Sequence, residues 1–142
     1  MDQNIKREII LDHYKNPINK GLINDESYLK VNMNNESGID EIDLMVKVEN
    51  NKIVDIKFDG EACAISTSAT SIMIETLIGK TVDEVEKIYN EYTKMLDNKE
   101  YDAQILENAI VYDDISKQPN RIKCALLPWW GIEKILKKIK KY

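Results

Sequence analysis

The sequence is poor in the residues on which most enzyme active sites depend. Its 142 residues include one histidine, His13, and two cysteines, Cys63 and Cys124. The five glycines are scattered, and no Gly-x-x-x-x-Gly-Lys segment is present, so the chain offers no phosphate-binding loop of that type. A cysteine-dependent hydrolase would require His13 to activate one of the two cysteines, whereas the pattern around His13 favours a structural histidine on a packed helix.

Long hydrophobic runs and an excess of positive charge are also missing. No apolar segment reaches the length of a transmembrane helix, and the N-terminus lacks the layout of a signal peptide. We therefore expect a cytoplasmic protein without membrane contact, in which both thiols stay reduced and form no structural disulfide. The formal net charge of −5 argues against a nucleic-acid-binding surface.

The composition and the pattern of apolar and polar residues predict one folded α+β domain over residues 1–142. Hydrophobic residues make up 43% of the chain and charged residues 32%, which is the balance of an ordinary globular domain. Alternating apolar and polar positions predict a small three-stranded antiparallel sheet over residues 28–33, 41–49 and 52–59. Helical patterns precede and follow these strands, so helices should pack on one face of the sheet.

The helical patterns carry recognisable start and stop signals. A first helix covers residues 3–15, and a second begins near Cys63 and ends at Gly79. Thr81 and Glu84 form a capping box at the start of a third helix.

Two later segments are less regular in sequence. A short helix is expected around residues 103–109. The last helix contains Pro128 and Gly131 near its start, so we expect its first turns to be irregular or kinked.

Both cysteines lie where two elements of the fold meet. Cys63 stands at the start of a helix, where unpaired backbone N–H groups stabilise a thiolate. The alternative is that Cys63 is a small buried hydrophobic residue. Cys124 is flanked by Arg121 and Lys123, which should give the site a positive character and lower the pKa values of the thiols.

Three segments together resemble one family. ILDHYKNPINKG, FDGEACAISTSATSIMIE and RIKCAL, in this order, are similar to the SufU/IscU/NifU-N family of iron–sulfur cluster assembly scaffolds. The long interval between Cys63 and Cys124, and the lysine at position 123, resemble the SufU branch. The resemblance implies an iron–sulfur cluster assembly scaffold or a zinc-dependent sulfur-transfer protein rather than an enzyme, with Cys63, Cys124 and Asp40 as ligands of zinc or of an iron–sulfur cluster. The small residues after Cys63 are expected to serve close helix packing.

The first ligand loop differs from the family pattern Asn-Pro-x-Cys-Gly-Asp. In NNESGID (residues 34–40), Asn35 replaces the proline, Ser37 stands at the cysteine, and Ile39 is inserted before Asp40. A serine hydroxyl is a poor metal ligand at neutral pH and carries no persulfide. We therefore predict a site with Ser37 as at most a weak fourth ligand.

The resemblance also implies partners. They are a cysteine desulfurase of the SufS type and other cluster-assembly proteins. Because of Ser37, a degenerate member that binds these proteins without holding metal is an alternative to a working scaffold. The second alternative is the hydrolase that uses His13.

Overall fold

The computed structural model describes residues 1–35 and 38–140. Three strands form one sheet in the order β1 (Leu29–Asn34), β2 (Glu41–Glu49) and β3 (Lys52–Glu61), and both strand pairs are antiparallel. The predicted sheet is thereby confirmed, with strand ends displaced by one or two residues, as is usual at strand termini.

A two-residue turn joins β2 to β3. Asn50 and Asn51 both adopt positive φ angles, 51° and 63°. Asparagine tolerates this left-handed region better than most residues, and two successive positive φ angles match the right-handed twist of a tight hairpin. The turn pairs Glu49 with Lys52, and an irregularity between Lys47 and Val48 then shifts the register by one residue, so that Glu41, at the start of β2, pairs with Glu61, at the end of β3.

In the described residues, four α-helices and one 3₁₀ helix complete the fold. They are α1 (Gln3–Lys15), α2 (Ala64–Leu77), α3 (Val82–Leu96), the 3₁₀ helix (Gln104–Lys117) and α4 (Pro119–Lys140). The capping box of α3 is present as predicted, with the Thr81 hydroxyl accepting from the Glu84 N–H. In the part of the chain that the structure describes, no helix is both long and apolar enough to span a membrane.

The segment predicted as a short helix over residues 103–109 is longer and of a different type. It is a 3₁₀ helix that runs to Lys117, with a kink at Glu107, whose φ of 50° is not helical. The buried residues of this segment pack into the core. Tertiary packing therefore stabilises the helical conformation of a segment whose sequence pattern is only weakly helical.

The last helix also differs from the expectation. α4 is continuous from Pro119 to Lys140 and contains Pro128 in its interior. A proline inside a helix removes one backbone hydrogen bond. The carbonyl oxygen of Cys124, one turn earlier, accepts a hydrogen bond from the Ser66 hydroxyl of α2 instead, at 3.0 Å.

α4 lies very close to the sheet because Gly131 has no side chain. A Cβ atom added there would stand 2.5 Å from Cε of Met33 in β1 and 2.6 Å from Cδ1 of Leu44 in β2. α4 also packs against α2. The close approach of α4 thus brings its first turns over the edge of the sheet at which β2 begins and β3 ends.

Candidate metal centre

Three side chains from different elements meet at that edge. Asp40 directly precedes β2, and Cys63 follows β3 after one intervening residue. Because Glu41 pairs with Glu61, the residues just outside the pair are brought together. Cys124 comes from the second turn of α4, where that helix crosses α2.

The ligand atoms of the three residues lie within 4.8 Å of one another: one carboxylate oxygen of Asp40 and the two Sγ atoms. Thiolates that share a zinc ion with bonds of about 2.3 Å stand roughly 4 Å apart, so the arrangement fits a zinc ion after a small contraction. Asp40 is buried, at 2% exposure, whereas both cysteines are partly exposed. The site is therefore accessible from solvent through its sulfur atoms.

Asp40 is held in place from two sides. Its Oδ1 accepts a 2.7 Å hydrogen bond from the backbone N–H of Cys63, and its Oδ2 lies 3.1 Å from Ser66 Oγ, whose single proton is shared between this carboxylate and the carbonyl oxygen of Cys124. The loop before it is closed by Asn35, whose N–H donates to the Asp40 carbonyl at 3.0 Å. The inserted Ile39 is 73% exposed, so the extra residue is accommodated outside the site and Asp40 keeps its position.

Cys63 occupies the N-cap of α2. Its Sγ accepts from the backbone N–H of Ser66 at 3.4 Å. The helix N-terminus therefore directs one backbone N–H, that of Ser66, towards this sulfur, and such a position suits a negatively charged ligand atom, as the sequence predicted. Ser37 lies outside the described residues, so its part in the site stays a prediction.

The prediction that the flanking basic residues lower the pKa of the Cys124 thiol is wrong. Burial raises the pKa of the Cys124 thiol to about 11, and the neighbouring Cys63 and Asp40 act in the same direction. Arg121 and Lys123 are both exposed. Water screens their charges, so the local surroundings, which are acidic and desolvated, decide the protonation of this thiol.

Sequence analysis missed the role of one small residue. Ser66, in the first turn of α2, was assigned to close packing, but its hydroxyl lies within 3.5 Å of Asp40 Oδ2, the Cys124 carbonyl oxygen and Cys63 Sγ. The available signal was a serine three residues after a helix-capping residue. At that spacing a side chain returns to the helix start.

His13 does not belong to this site. Its Nδ1 lies 2.7 Å from Ser71 Oγ, and its Nε2 lies 3.6 Å from a carboxylate oxygen of Glu75. Ser71 is eight residues beyond Cys63 on α2, which is about 12 Å along a helix axis. His13 thus ties α1 to α2 as a structural histidine and is too far from Cys63 to serve as its base.

The donor set has a definite chemical preference. Two sulfurs and one carboxylate oxygen suit zinc or iron, and a tetrahedral ion takes one further ligand. Within residues 1–35 and 38–140, this is the one group of three or more cysteine, histidine or acidic side chains with such a geometry. The fourth position is left for water, for Ser37 or for a group from a partner.

Comparison with known proteins agrees with the geometry. Residues 5–125 match the family described as the NifU-like N-terminal domain. The zinc-dependent sulfurtransferase SufU of Bacillus subtilis (strain 168) is 40% identical over 129 residues, which cover 90% of this chain and 86% of that protein. The iron–sulfur cluster assembly scaffold protein IscU of Thermotoga maritima is 36% identical over 132 residues, which cover 93% and 92%.

A crystal structure from Fervidobacterium islandicum AW-1 has a similar fold. It is described as a candidate scaffold protein of the SUF system for iron–sulfur cluster assembly, and it superposes with a TM-score of 0.86 at 37% identity, covering 91% of this chain and 94% of that one. The sequence match extends over most of the chain and includes Asp40, Cys63 and Cys124. The chain therefore belongs to the family of NifU-like N-terminal domains, among whose members are SufU and IscU proteins of iron–sulfur cluster assembly.

Proposed function

We propose that this protein carries a metal ion or a nascent cluster in iron–sulfur cluster assembly, with Asp40, Cys63 and Cys124 as its ligands. The observation that carries the proposal is the convergence of these three ligand atoms within 4.8 Å from three separate elements. Relatives named as a zinc-dependent sulfurtransferase and as cluster assembly scaffolds support the same chemistry. The chain acts as a carrier at the surface of a partner, in the cytoplasm, and not as a hydrolase.

The partner that we propose is a cysteine desulfurase. Cys63 and Cys124 are partly exposed at the edge of the sheet, so a partner has access to their sulfur atoms. Ser37 stands where the family has a cysteine that accepts sulfur, and a hydroxyl forms no persulfide. We therefore propose that metal or cluster binding, rather than sulfur acceptance at position 37, is the chemistry that this chain retains.

The test is to purify the untagged protein under anaerobic conditions and to measure bound zinc, iron and acid-labile sulfide. The wild-type protein should hold metal at less than full occupancy, because it offers three strong ligands where a tetrahedral ion takes four. Cys63→Ser and Cys124→Ser should abolish the retained metal. Asp97→Asn is the matched control, since Asp97 is 65% exposed and pairs with Lys99 away from the site.

A second candidate follows from the substitution at position 37. A chain that has lost one ligand cysteine could bind the assembly machinery without carrying metal. In that case the wild-type protein and Cys63→Ser would bind the desulfurase with equal affinity. The purified protein would also hold no zinc, iron or sulfide. Binding of the desulfurase that weakens in Cys63→Ser would instead support the metal-carrying function.

A further inference from the structure

We infer that Ser66 and Pro128 form a positioning pair that sets the three candidate ligands relative to one another. The inference rests on the proposed metal site and adds two residues to it that are not themselves ligands. It is carried by the hydrogen bonds of one fully buried hydroxyl and by the missing N–H of one proline.

Ser66 contacts all three ligand residues. Its hydroxyl oxygen lies 3.1 Å from Asp40 Oδ2, 3.0 Å from the carbonyl oxygen of Cys124 and 3.5 Å from Cys63 Sγ. Its backbone N–H also donates to Cys63 Sγ, at 3.4 Å. A side chain in this position restrains the loop before β2, the start of α2 and the second turn of α4 at the same time.

Pro128 creates one of the acceptors that Ser66 uses. In an α-helix the carbonyl of Cys124 accepts from the backbone N–H four residues later, and residue 128 has none. The contact at this carbonyl is part-buried, and a carbonyl that lacks a donor there costs stability, so a donor from another element is favoured. The Ser66 hydroxyl supplies it at 3.0 Å and thereby joins the cysteine of α4 to the helix that begins at Cys63.

The arrangement resembles the partners that orient metal ligands in other proteins. Hydrogen bonds to ligand residues fix their orientation, and removing one typically lowers metal affinity by about 10- to 100-fold. Ser66→Ala should therefore weaken zinc binding to that extent.

The matched control is Ser68→Ala. Ser68 is buried in the same helix two residues later, and its hydroxyl bonds the Ile65 carbonyl and the Tyr112 hydroxyl rather than any of the three ligand residues. Zinc affinity would be measured by competition with a chromophoric chelator, and the thiolate-to-metal absorption of Co²⁺-loaded protein would be recorded. Ser66→Ala should lower the affinity and change the absorption, and Ser68→Ala should keep both within about twofold of the wild type.

A second experiment, with metal-free protein, tests whether Ser66 and Pro128 act together. Pro128→Ala gives the Cys124 carbonyl a backbone donor, so the loss caused by Ser66→Ala should shrink in that background. We expect Ser66→Ala to lower the equilibrium constant for folding by about tenfold in the protein that keeps Pro128, the cost of a part-buried carbonyl that loses its donor, and by several-fold less in the Pro128→Ala background. Urea unfolding of the wild type, the two single variants and the double variant gives this coupling.

The outcomes separate the two claims. Equal losses of folding stability in both backgrounds, or zinc binding that Ser66→Ala leaves within twofold of the wild type, would overturn the positioning pair. Failure of both the wild type and Ser68→Ala to bind zinc or Co²⁺ would overturn the proposed metal site. The unfolding measurements would then still decide whether Ser66 and Pro128 act together.

Discussion

The carboxylate of Asp40 caps the backbone N–H of Cys63 through a 2.7 Å hydrogen bond. One candidate ligand thus orients another, and the bond exists without any metal. It links the start of β2 to the residue that begins α2, so the two ligands move as one unit. Asp40 therefore has a structural role, as the acceptor of this hydrogen bond, that can be separated from the role of its negative charge.

Asp40→Asn separates these two parts. The amide oxygen can still accept from the Cys63 N–H, but a neutral amide is a weaker ligand for zinc than a carboxylate. We expect zinc affinity to fall by at least tenfold, while the free energy of unfolding of the metal-free protein changes by less than about 1 kcal/mol, the net contribution of one hydrogen bond. Chelator competition and urea unfolding measure the two quantities, with Asp97→Asn as control.

A different result would reassign Asp40. If Asp40→Asn keeps the zinc affinity of the wild type, the carboxylate is no ligand. Asp40 would then serve only to cap the start of α2.

The protonated thiol of Cys124 makes zinc binding depend on pH. Burial raises its pKa to about 11, so in the metal-free protein this thiol keeps its proton at neutral pH and loses it as pH rises towards 11. Zinc binds the thiolate and must displace that proton. Apparent zinc affinity should therefore rise by about tenfold or more for each pH unit between about pH 6.5 and 8.

The control for this prediction is Arg121→Gln. Arg121 is exposed one turn before Cys124, and none of the causes that raise the thiol's pKa involves it. The slope of affinity against pH should be the same in the variant and in the wild type. A flat profile in the wild type would show that Cys124 is already a thiolate, and a steeper profile in Arg121→Gln would show that the basic residues do lower its pKa.

The strands, the helix caps and the ligand candidates were open to prediction because each depends on neighbours in sequence. Alternation gives the strands, and Asn50 and Asn51 give the turn between them. The convergence of Cys124 with Cys63 is different, because it depends on how α4 crosses α2. The place of each cysteine at a junction of two elements and the family resemblance together suggested it.

The surroundings of the site were the hardest part to predict. The pKa of Cys124 follows from burial, and burial is a property of the packed molecule. The partners of Ser66 lie 26 and 58 residues away along the chain. The extent of the 3₁₀ helix to Lys117 likewise follows from its packing, since its sequence has no strong helical period.

The close approach of α4 to the sheet gives a test of the packing. Gly131→Ala places a methyl group 2.5 to 2.6 Å from Met33 and Leu44, which have to move. Overpacking of this kind usually costs about 1–3 kcal/mol, more than the gain in helix propensity from glycine to alanine. The free energy of unfolding in urea should fall accordingly. Lys138→Ala, an exposed position on the same helix, should change it by less than about 0.5 kcal/mol.

Position 37 offers the most direct test of the incomplete ligand set. Ser37 stands in sequence where the family has a cysteine, and the three proposed ligands, Asp40, Cys63 and Cys124, leave one position of a tetrahedral ion open. Ser37→Cys should therefore raise the zinc or iron content of protein purified anaerobically, and it should make a bound cluster more stable.

The matched control for this experiment is Ser27→Cys. Ser27 is an exposed residue whose hydroxyl bonds Asp25, so this variant adds a thiol elsewhere on the surface. Metal content should stay at the wild-type level in Ser27→Cys, because a lone surface thiol adds no ligand to the site. If Ser37→Cys also leaves the content unchanged, the loop with its inserted Ile39 does not direct residue 37 at Cys63 and Cys124. A wild-type protein that already holds one full equivalent of zinc would contradict the argument from the missing ligand, because three ligands and a water molecule would then suffice.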